Sequence, residues 1–112
     1  MNIWAIKKDT SIKHVLLLLN NHLGEDAFKL DETSQVHPKA IYLEHPNDPG
    51  FRAYLFTTGQ DADRYGLHLE YPESALNSNL IDAYENLKLI PLLNILAVHF
   101  DISELKNLDL LG

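Results

Sequence analysis

Alternation of apolar and polar residues is clearest in the middle of the chain. The segments 40–45, 51–57 and 65–71 alternate with a period of two, the pattern of strands that bury one face. Segment 46–50, with two prolines and a glycine, and polar segment 59–64 separate them, as turns would. A three-stranded antiparallel meander is therefore predicted. Its buried face would carry Ile41, Leu43, Ala53, Leu55, Leu67 and Leu69.

Helical periodicity dominates the segment before the meander. Asp9 or Thr10 can cap a helix at its start, and Gly24 suits the position just after its end. The apolar stripe of this predicted helix consists of Ile12, Val15, Leu16, Leu19 and Leu23. We expect the stripe to cover the buried face of the meander. Segments 2–7 and 27–31 are interpreted as short strands, and a polar turn is expected at 32–34.

The last third of the chain is also predicted to be largely helical. One stripe with helical spacing consists of Leu80, Ala83, Tyr84, Leu87 and Ile90. Pro91 would end that helix and suits the first turn of another over 91–100. A buried strand over 95–102 fits the same apolar run equally well. Ser103 can cap a last short helix over 104–111.

Together these elements predict an α+β fold, with an N-terminal helix packed on an antiparallel β-meander of three to five strands, followed by C-terminal helices. The length of 112 residues and the 46% hydrophobic content suit a single domain over residues 1–112 with one core. The longest apolar run, 15–19, is far shorter than the ~20 residues that cross a bilayer. No small-residue cleavage site follows it. We therefore expect a cytoplasmic protein that does not enter a membrane.

The charged residues indicate which classes of function are possible. The net charge is -7, and its distribution is uneven. Residues 1–39 hold five basic and five acidic side chains, whereas residues 40–112 hold eleven acidic and four basic ones. The acidic balance argues against nucleic-acid binding, because phosphates are bound by Lys and Arg. The absence of cysteine excludes a disulfide scaffold, a Cys-ligated metal site and a thiol nucleophile.

The outward face of the predicted meander combines aromatic and charged residues. Pairing residue 45 with residue 51 across the first turn fixes one register, and a matching register follows for the third strand. The outward rows are then Glu44–Arg52–Glu70, Tyr42–Tyr54–His68 and Ala40–Phe56–Gly66. Tyr and Arg are enriched at interface hot spots, so these rows predict a partner-binding surface. In the alternative interpretation, C-terminal helices cover this face and its rings belong to a second core layer.

The turn before the third strand is a second candidate contact. Asp61, Asp63 and Arg64 lie on it, with Tyr65 beside them. Carboxylates displayed on a turn suit a basic groove, and the tyrosine would add contact area. The alternative is an ordinary solvated turn.

Catalytic and metal-binding patterns are weak. No Gly-x-Ser-x-Gly elbow and no glycine-rich loop is present. Asp61 and Asp63 would form a carboxylate pair in a polar loop, and the pair of Glu44 and Glu70 would be neutralised by Arg52. No ligand spacing relates the six histidines, which are His14, His22, His37, His45, His68 and His99. We expect no catalytic residue, no cofactor and no metal.

These features lead to one main function hypothesis. A small acidic domain with an aromatic surface suits rapid binding to a basic protein. The setting we favour is a bacterial immunity protein or antitoxin that blocks a nuclease-type toxin, as a monomer or weak homodimer. Alternatives are a small acidic secretion chaperone and mimicry of nucleic acid by carboxylates. A further alternative is an enzyme or ligand-binding domain with a pocket between the meander and the C-terminal helices. Its polar groups would be Tyr65, His68 and Glu70.

Overall fold

Five antiparallel strands form one sheet in a computed structural model that describes residues 3–31, 36–72 and 81–108. The strands, which neighbour one another in chain order, are β1 (Lys29–Asp31), β2 (Ala40–Glu44), β3 (Arg52–Phe56), β4 (Tyr65–Glu70) and β5 (Ile81–Leu87). The helices are α1 (Thr10–Leu23) and α2 (Leu89–His99), and a 3-10 turn spans Ile3–Ala5. The predicted α+β fold is confirmed.

The register of the central meander is the one that the alternation predicts. Across the first turn, the backbone N–H of His45 donates to the carbonyl of Phe51 over 2.9 Å. This closure places Glu44 opposite Arg52, and β4 continues the same alignment with Glu70 opposite Arg52. All the predicted core-face residues are at most 4% exposed: Ile41, Leu43, Ala53, Leu55, Leu67 and Leu69.

Helix α1 has the predicted caps. The Oδ2 atom of Asp9 accepts a hydrogen bond from the backbone N–H of Ser11 over 3.0 Å, which satisfies one of the donors left unpaired at a helix start. At the other end Gly24 has a φ of 106°, and its N–H donates to the carbonyl of Asn20. The whole predicted stripe is buried: Ile12, Val15, Leu16, Leu19 and Leu23.

Both helices cover the same face of the sheet. Leu92, Leu93 and Leu96 of α2 join the α1 stripe and the inward residues of β2, β3 and β4 in one core. Pro91 lies in the first turn of α2, where its missing N–H would have no partner within the helix. Helix α2 settles the ambiguity over 95–102 in favour of a helix. Of the helices in the described ranges, none is long and apolar enough to cross a bilayer.

The predicted helix before Pro91 is wrong. Its stripe residues Ala83, Tyr84 and Leu87 lie in β5, while Leu80 lies outside the described residues. Tyr84 lies opposite Leu67 of β4, so β5 pairs with the backbone N–H and C=O groups along the edge of β4. A helix over the same residues would leave those edge groups of β4 without backbone partners. Apolar residues three and four apart also occur in a strand when one of its faces is only partly buried.

The predicted strand at 2–7 is also wrong, since its described part begins with the 3-10 turn. Ile3 is buried, Ile6 packs beside the core, and Trp4 between them is 58% exposed. The N–H of Ile6 donates to the carbonyl of Ile3 over 3.3 Å. A spacing of three brings these two isoleucines to the same side, as a 3-10 turn requires. The predicted strand at 27–31 is found as β1, and the turn at 32–34 lies outside the described residues.

The predicted last helix does not form over 104–107. The N–H of Lys106 donates to the carbonyl of His22 over 2.8 Å, and the Nδ1–H of His22 donates back to the carbonyl of Lys106 over 2.8 Å. These bonds tie the segment to the end of α1 and use the backbone groups that a helix would need. Residues 109–111 of that prediction lie outside the described residues.

Candidate protein-binding surface

The sheet face opposite the helices, here called the open face, carries three cross-strand rows. The rows are Lys29–Glu44–Arg52–Glu70, Asp31–Tyr42–Tyr54–His68–Ala83 and Ala40–Phe56–Gly66. The predicted rows are therefore present, and the outer strands add Lys29, Asp31 and Ala83 to them. Neither α1 nor α2 lies over this face, since both pack on the other one.

Arg52 is the charge centre of the open face. Its Nη2 lies 3.1 Å from Oδ2 of Asp31, its Nε lies 3.7 Å from Oε1 of Glu44, and its Nη1 lies 3.9 Å from Oε1 of Glu70. The guanidinium carbon lies 3.9 Å from the centre of the Tyr42 ring, a cation–π distance. Three carboxylates surround this cation, and Lys29 lies opposite Glu44 in the same row, so the charged side chains here leave an excess of one negative charge.

Tyr42 stays a neutral phenol beside this cluster. Burial raises the pKa of Tyr42, and the carboxylate of Glu70 raises it further, while Arg52 acts in the opposite direction. The ring therefore presents an uncharged face to the guanidinium and an O–H group to its surroundings. This combination of apolar body and polar tip is typical of interface tyrosines.

A column of touching rings fills the centre of the open face. Tyr54 lies 4.9 Å from Tyr42, 5.9 Å from His68 and 5.6 Å from Phe56, measured between ring centres. Phe56 in turn lies 5.0 Å from His68 and packs over Gly66, where a Cβ would come within 2.2 Å of its ring carbons. Rings that already pack on one another lose little side-chain entropy when a partner binds.

The turn between β3 and β4 is fixed by one residue of β5. The Oδ1 of Asn86 accepts from the N–H of Asp61 over 2.8 Å, its N–H donates to Oε1 of Gln60, and its carbonyl accepts from Nη1 of Arg64 over 3.1 Å. Asn86 has a φ of 51°, and Asp63 has a φ of 57°. Asn and Asp tolerate this left-handed region better than most residues. The turn thus displays exposed carboxylates from a fixed backbone.

Carboxylates lie near both ends of β3. The Arg52 cluster lies at the start of the strand, and the turn that follows its other end carries Asp61 and Asp63. These two residues line a surface cavity together with Ser11 and His14 of α1, so the carboxylates of the turn lie beside that helix. The four-residue step from Arg52 to Phe56 corresponds to about 13 Å along a strand. An aromatic centre with a charged rim is the usual anatomy of a protein interface.

Tyr65 lies apart from the other predicted contact residues. It is 9% exposed and belongs to the core on the helix side, and burial raises the pKa of its phenol. Alternate residues of a strand point to opposite faces, so Tyr65 cannot converge with His68 and Glu70. The pocket hypothesis that combined these three residues does not fit the structure.

The buried histidines have structural roles. His22 bonds to the carbonyl of Lys106, and the Nε2–H of His99 donates to the carbonyl of Arg52 over 2.8 Å. Over residues 3–31, 36–72 and 81–108, no three His, Asp or Glu side chains come together as metal ligands.

No protein-family model, curated protein or solved structure matches this chain. The open face offers a rigid aromatic centre and an excess of carboxylates around Arg52, and the turn that follows β3 carries further exposed carboxylates. Opposite charge on a partner raises the rate at which it associates with such a surface.

Proposed function

We propose that the chain is an acidic protein-binding domain that neutralises a basic protein partner through the open face. The specific setting we propose is a bacterial immunity protein or antitoxin that acts in the cytoplasm on a nuclease-type toxin. One observation carries the proposal. The ring column, which includes Tyr42, Tyr54 and His68, lies on a sheet face that neither helix covers, beside the carboxylates of the Arg52 cluster.

The dimensions of the open face suit a protein partner. Five strands about 4.8 Å apart and about five residues long give a face of roughly 20 by 17 Å. The side chains that project from this face, and the turn between β3 and β4 (residues 57–64), extend the area toward the roughly 800 Å² that each partner contributes to a standard interface. The ring column would supply the buried centre and the carboxylates the rim.

Charge favours a basic partner over a second copy of the chain. The three carboxylates of the open face outnumber its two cations, Arg52 and Lys29, and the whole chain carries a net charge of -7. Two copies would bring the same excess together, which is unfavourable. A cationic partner would be attracted over long distances and would associate faster.

A nuclease toxin supplies the chemistry that this face needs. Its substrate groove must carry Lys and Arg to bind phosphates. A protein that presents carboxylates to such a groove can occlude it without copying the nucleic acid in detail. The aromatic column would then contact the less charged part of the groove.

The test compares two matched double variants with the unmodified chain. The open-face variant combines Tyr54→Thr and His68→Thr, because threonine favours strands and should preserve the sheet. The control combines Ile90→Thr and Val98→Thr on exposed positions of α2. Each tagged chain is incubated with extract of its source cells, and retained proteins are identified by mass spectrometry.

We expect the unmodified chain and the control to retain the same basic protein, and the open-face variant to lose it. The retained protein is then purified, and its nuclease activity is measured with increasing amounts of the chain. Stoichiometric inhibition supports the immunity setting. Retention of no basic protein, or equal retention by the open-face variant, contradicts the proposal, and a bound partner that stays fully active contradicts the immunity setting.

A further inference from the structure

A recessed site, here called the α2 cleft, lies on the helix side of the sheet. It encloses about 520 Å³ between α2 and the ends of β4 and β5, within the usual size range of ligand pockets. Its apolar wall includes Leu69 from the sheet and Ile95 and Val98 from the helix. Val98 is 81% exposed and forms the rim.

Three rings form one corner of the α2 cleft. The centres of Phe51 and Tyr71 are 6.1 Å apart, and those of Tyr71 and His99 are 5.2 Å apart, both edge to face. The Nε2–H bond from His99 to the carbonyl of Arg52 fixes the imidazole. Burial lowers the pKa of His99, so the ring is neutral at pH 7. Tyr84 adds a further ring to the lining.

The charged group among the described lining residues of the α2 cleft is the carboxylate of Asp101, and a second carboxylate, Asp82, lies behind the hydroxyl of Tyr71. The hydroxyl of Tyr71 donates to Oδ2 of Asp82 over 2.6 Å, which helps raise the pKa of Tyr71 to about 12. Asp101 lines the cleft with a side chain that is 84% exposed and accepts from Nε2–H of His45 over 3.2 Å. The described lining residues include no lysine or arginine. Aromatic faces beside carboxylates attract cations and disfavour anions.

We propose that the α2 cleft binds a small organic cation, namely an ammonium group carried on an aromatic or branched apolar body. The apolar wall would hold the body, and the rings with Asp101 would hold the ammonium group. This inference is independent of the proposed function, because the α2 cleft and the open face lie on opposite sides of the sheet.

Three ligands with one carbon skeleton separate charge from apolar contact. They are 3-phenylpropylamine, 3-phenylpropan-1-ol and 3-phenylpropanoate, titrated into the isotopically labelled full chain and followed by amide chemical shifts. We expect the amine to bind roughly three- to tenfold more tightly than the alcohol, as cation–π and charge contacts at a partly exposed site allow. The carboxylate should bind more weakly than the alcohol. The amide chemical-shift changes should saturate with ligand concentration and should be largest around Val98 and Asp101.

Rim variants test the location without disturbing the core. Val98→Lys should weaken amine binding, whereas Val98→Gln, of similar length but uncharged, should weaken it less. Ile90→Lys places the same charge elsewhere on α2, at a residue that does not line the α2 cleft, and should have little effect. Asp101→Asn should weaken the amine and leave the alcohol unchanged. The proposal is overturned if the amine binds no tighter than the carboxylate, or if the lysines at 98 and 90 act alike.

Discussion

The guanidinium of Arg52 reaches Asp31 across an intervening strand, with 3.1 Å between Nη2 and Oδ2. β3 and β1 are not neighbours, and the guanidinium crosses the ring of Tyr42 on β2 to make this contact. Because β1 has only three residues, its backbone pairing is short. The ion pair therefore helps to hold the edge of the sheet, and it also sets the charge of the open face.

Replacing this guanidinium should cost stability in a way that depends on salt concentration. We expect Arg52→Gln to lower the free energy of unfolding by about 1–3 kcal/mol, between the values for exposed and buried ion pairs. The loss should shrink as the salt concentration rises, since mobile ions screen the repulsion among Asp31, Glu44 and Glu70. Urea denaturation at low and high salt concentration measures both effects.

The matched control for that experiment is Arg64→Gln. Arg64 donates to the backbone carbonyl of Asn86, and its substitution leaves no group of three carboxylates behind. We expect a smaller loss that does not shrink as the salt concentration rises. Equal losses for Arg52→Gln and Arg64→Gln would show that the charge cluster does not stabilise the sheet.

The packing of Phe56 on Gly66 can be measured by a double-mutant cycle. A Cβ at position 66 would lie 2.1 Å from the nearest ring carbon of Phe56, so Gly66→Ala must displace the ring. Overpacking of this kind typically costs about 1–3 kcal/mol. In a Phe56→Ala background the same substitution should cost much less. Thermal or urea unfolding of the four proteins gives the coupling, and additive losses would contradict the contact.

Burial of His99 predicts loss of stability in mild acid. The pKa of His99 is lowered in the folded chain, so the unfolded chain takes up this proton first. Linkage then requires the free energy of unfolding to fall as the pH drops below about 6.5, the ordinary histidine value. His99→Gln should reduce the loss between neutral pH and about pH 5. His14→Gln, an exposed histidine on α1, controls for removing a histidine as such, and an undiminished loss in the His99 variant would reject the assignment.

The meander and its outward rows could be predicted because two local rules agree. Alternation fixes which residues share a face, and the five-residue turn fixes the pairing of residue 45 with residue 51. A slip by one residue would have exposed Leu43 and Leu55, which are fully buried. The apolar pattern therefore admits one register only.

The contacts that depend on β1 and β5 could not be predicted in this way. To predict the contact between Arg52 and Asp31, one must know the register of β1 against β2. No turn motif in the sequence specifies that register. The pattern that predicts a helix over Asn86 hides the role of this residue. The alternative of a pocket between the meander and the C-terminal helices places a cavity where the α2 cleft lies, but with other lining residues, because Tyr84 belongs to β5 and not to a helix. An asparagine within an alternating segment is a weak sequence signal for a bulge with left-handed backbone, and Asn86 carries that signal.

The carboxylates on the 57–64 turn should steer the basic partner that the proposed function requires. Asp61→Lys reverses one exposed charge while keeping the backbone N–H that bonds to Asn86. Asp63→Asn removes another with a residue that tolerates the φ of 57°. The combined variant should associate with the partner roughly three- to tenfold more slowly at about 0.01 M ionic strength, with a smaller difference at about 0.15 M. Glu25→Lys reverses an exposed charge near the end of α1 and should slow association less. If stopped-flow rates at low salt were the same for the turn variant and the unmodified chain, the turn would have no part in recognition, whereas the open face would remain to be judged by its own variants.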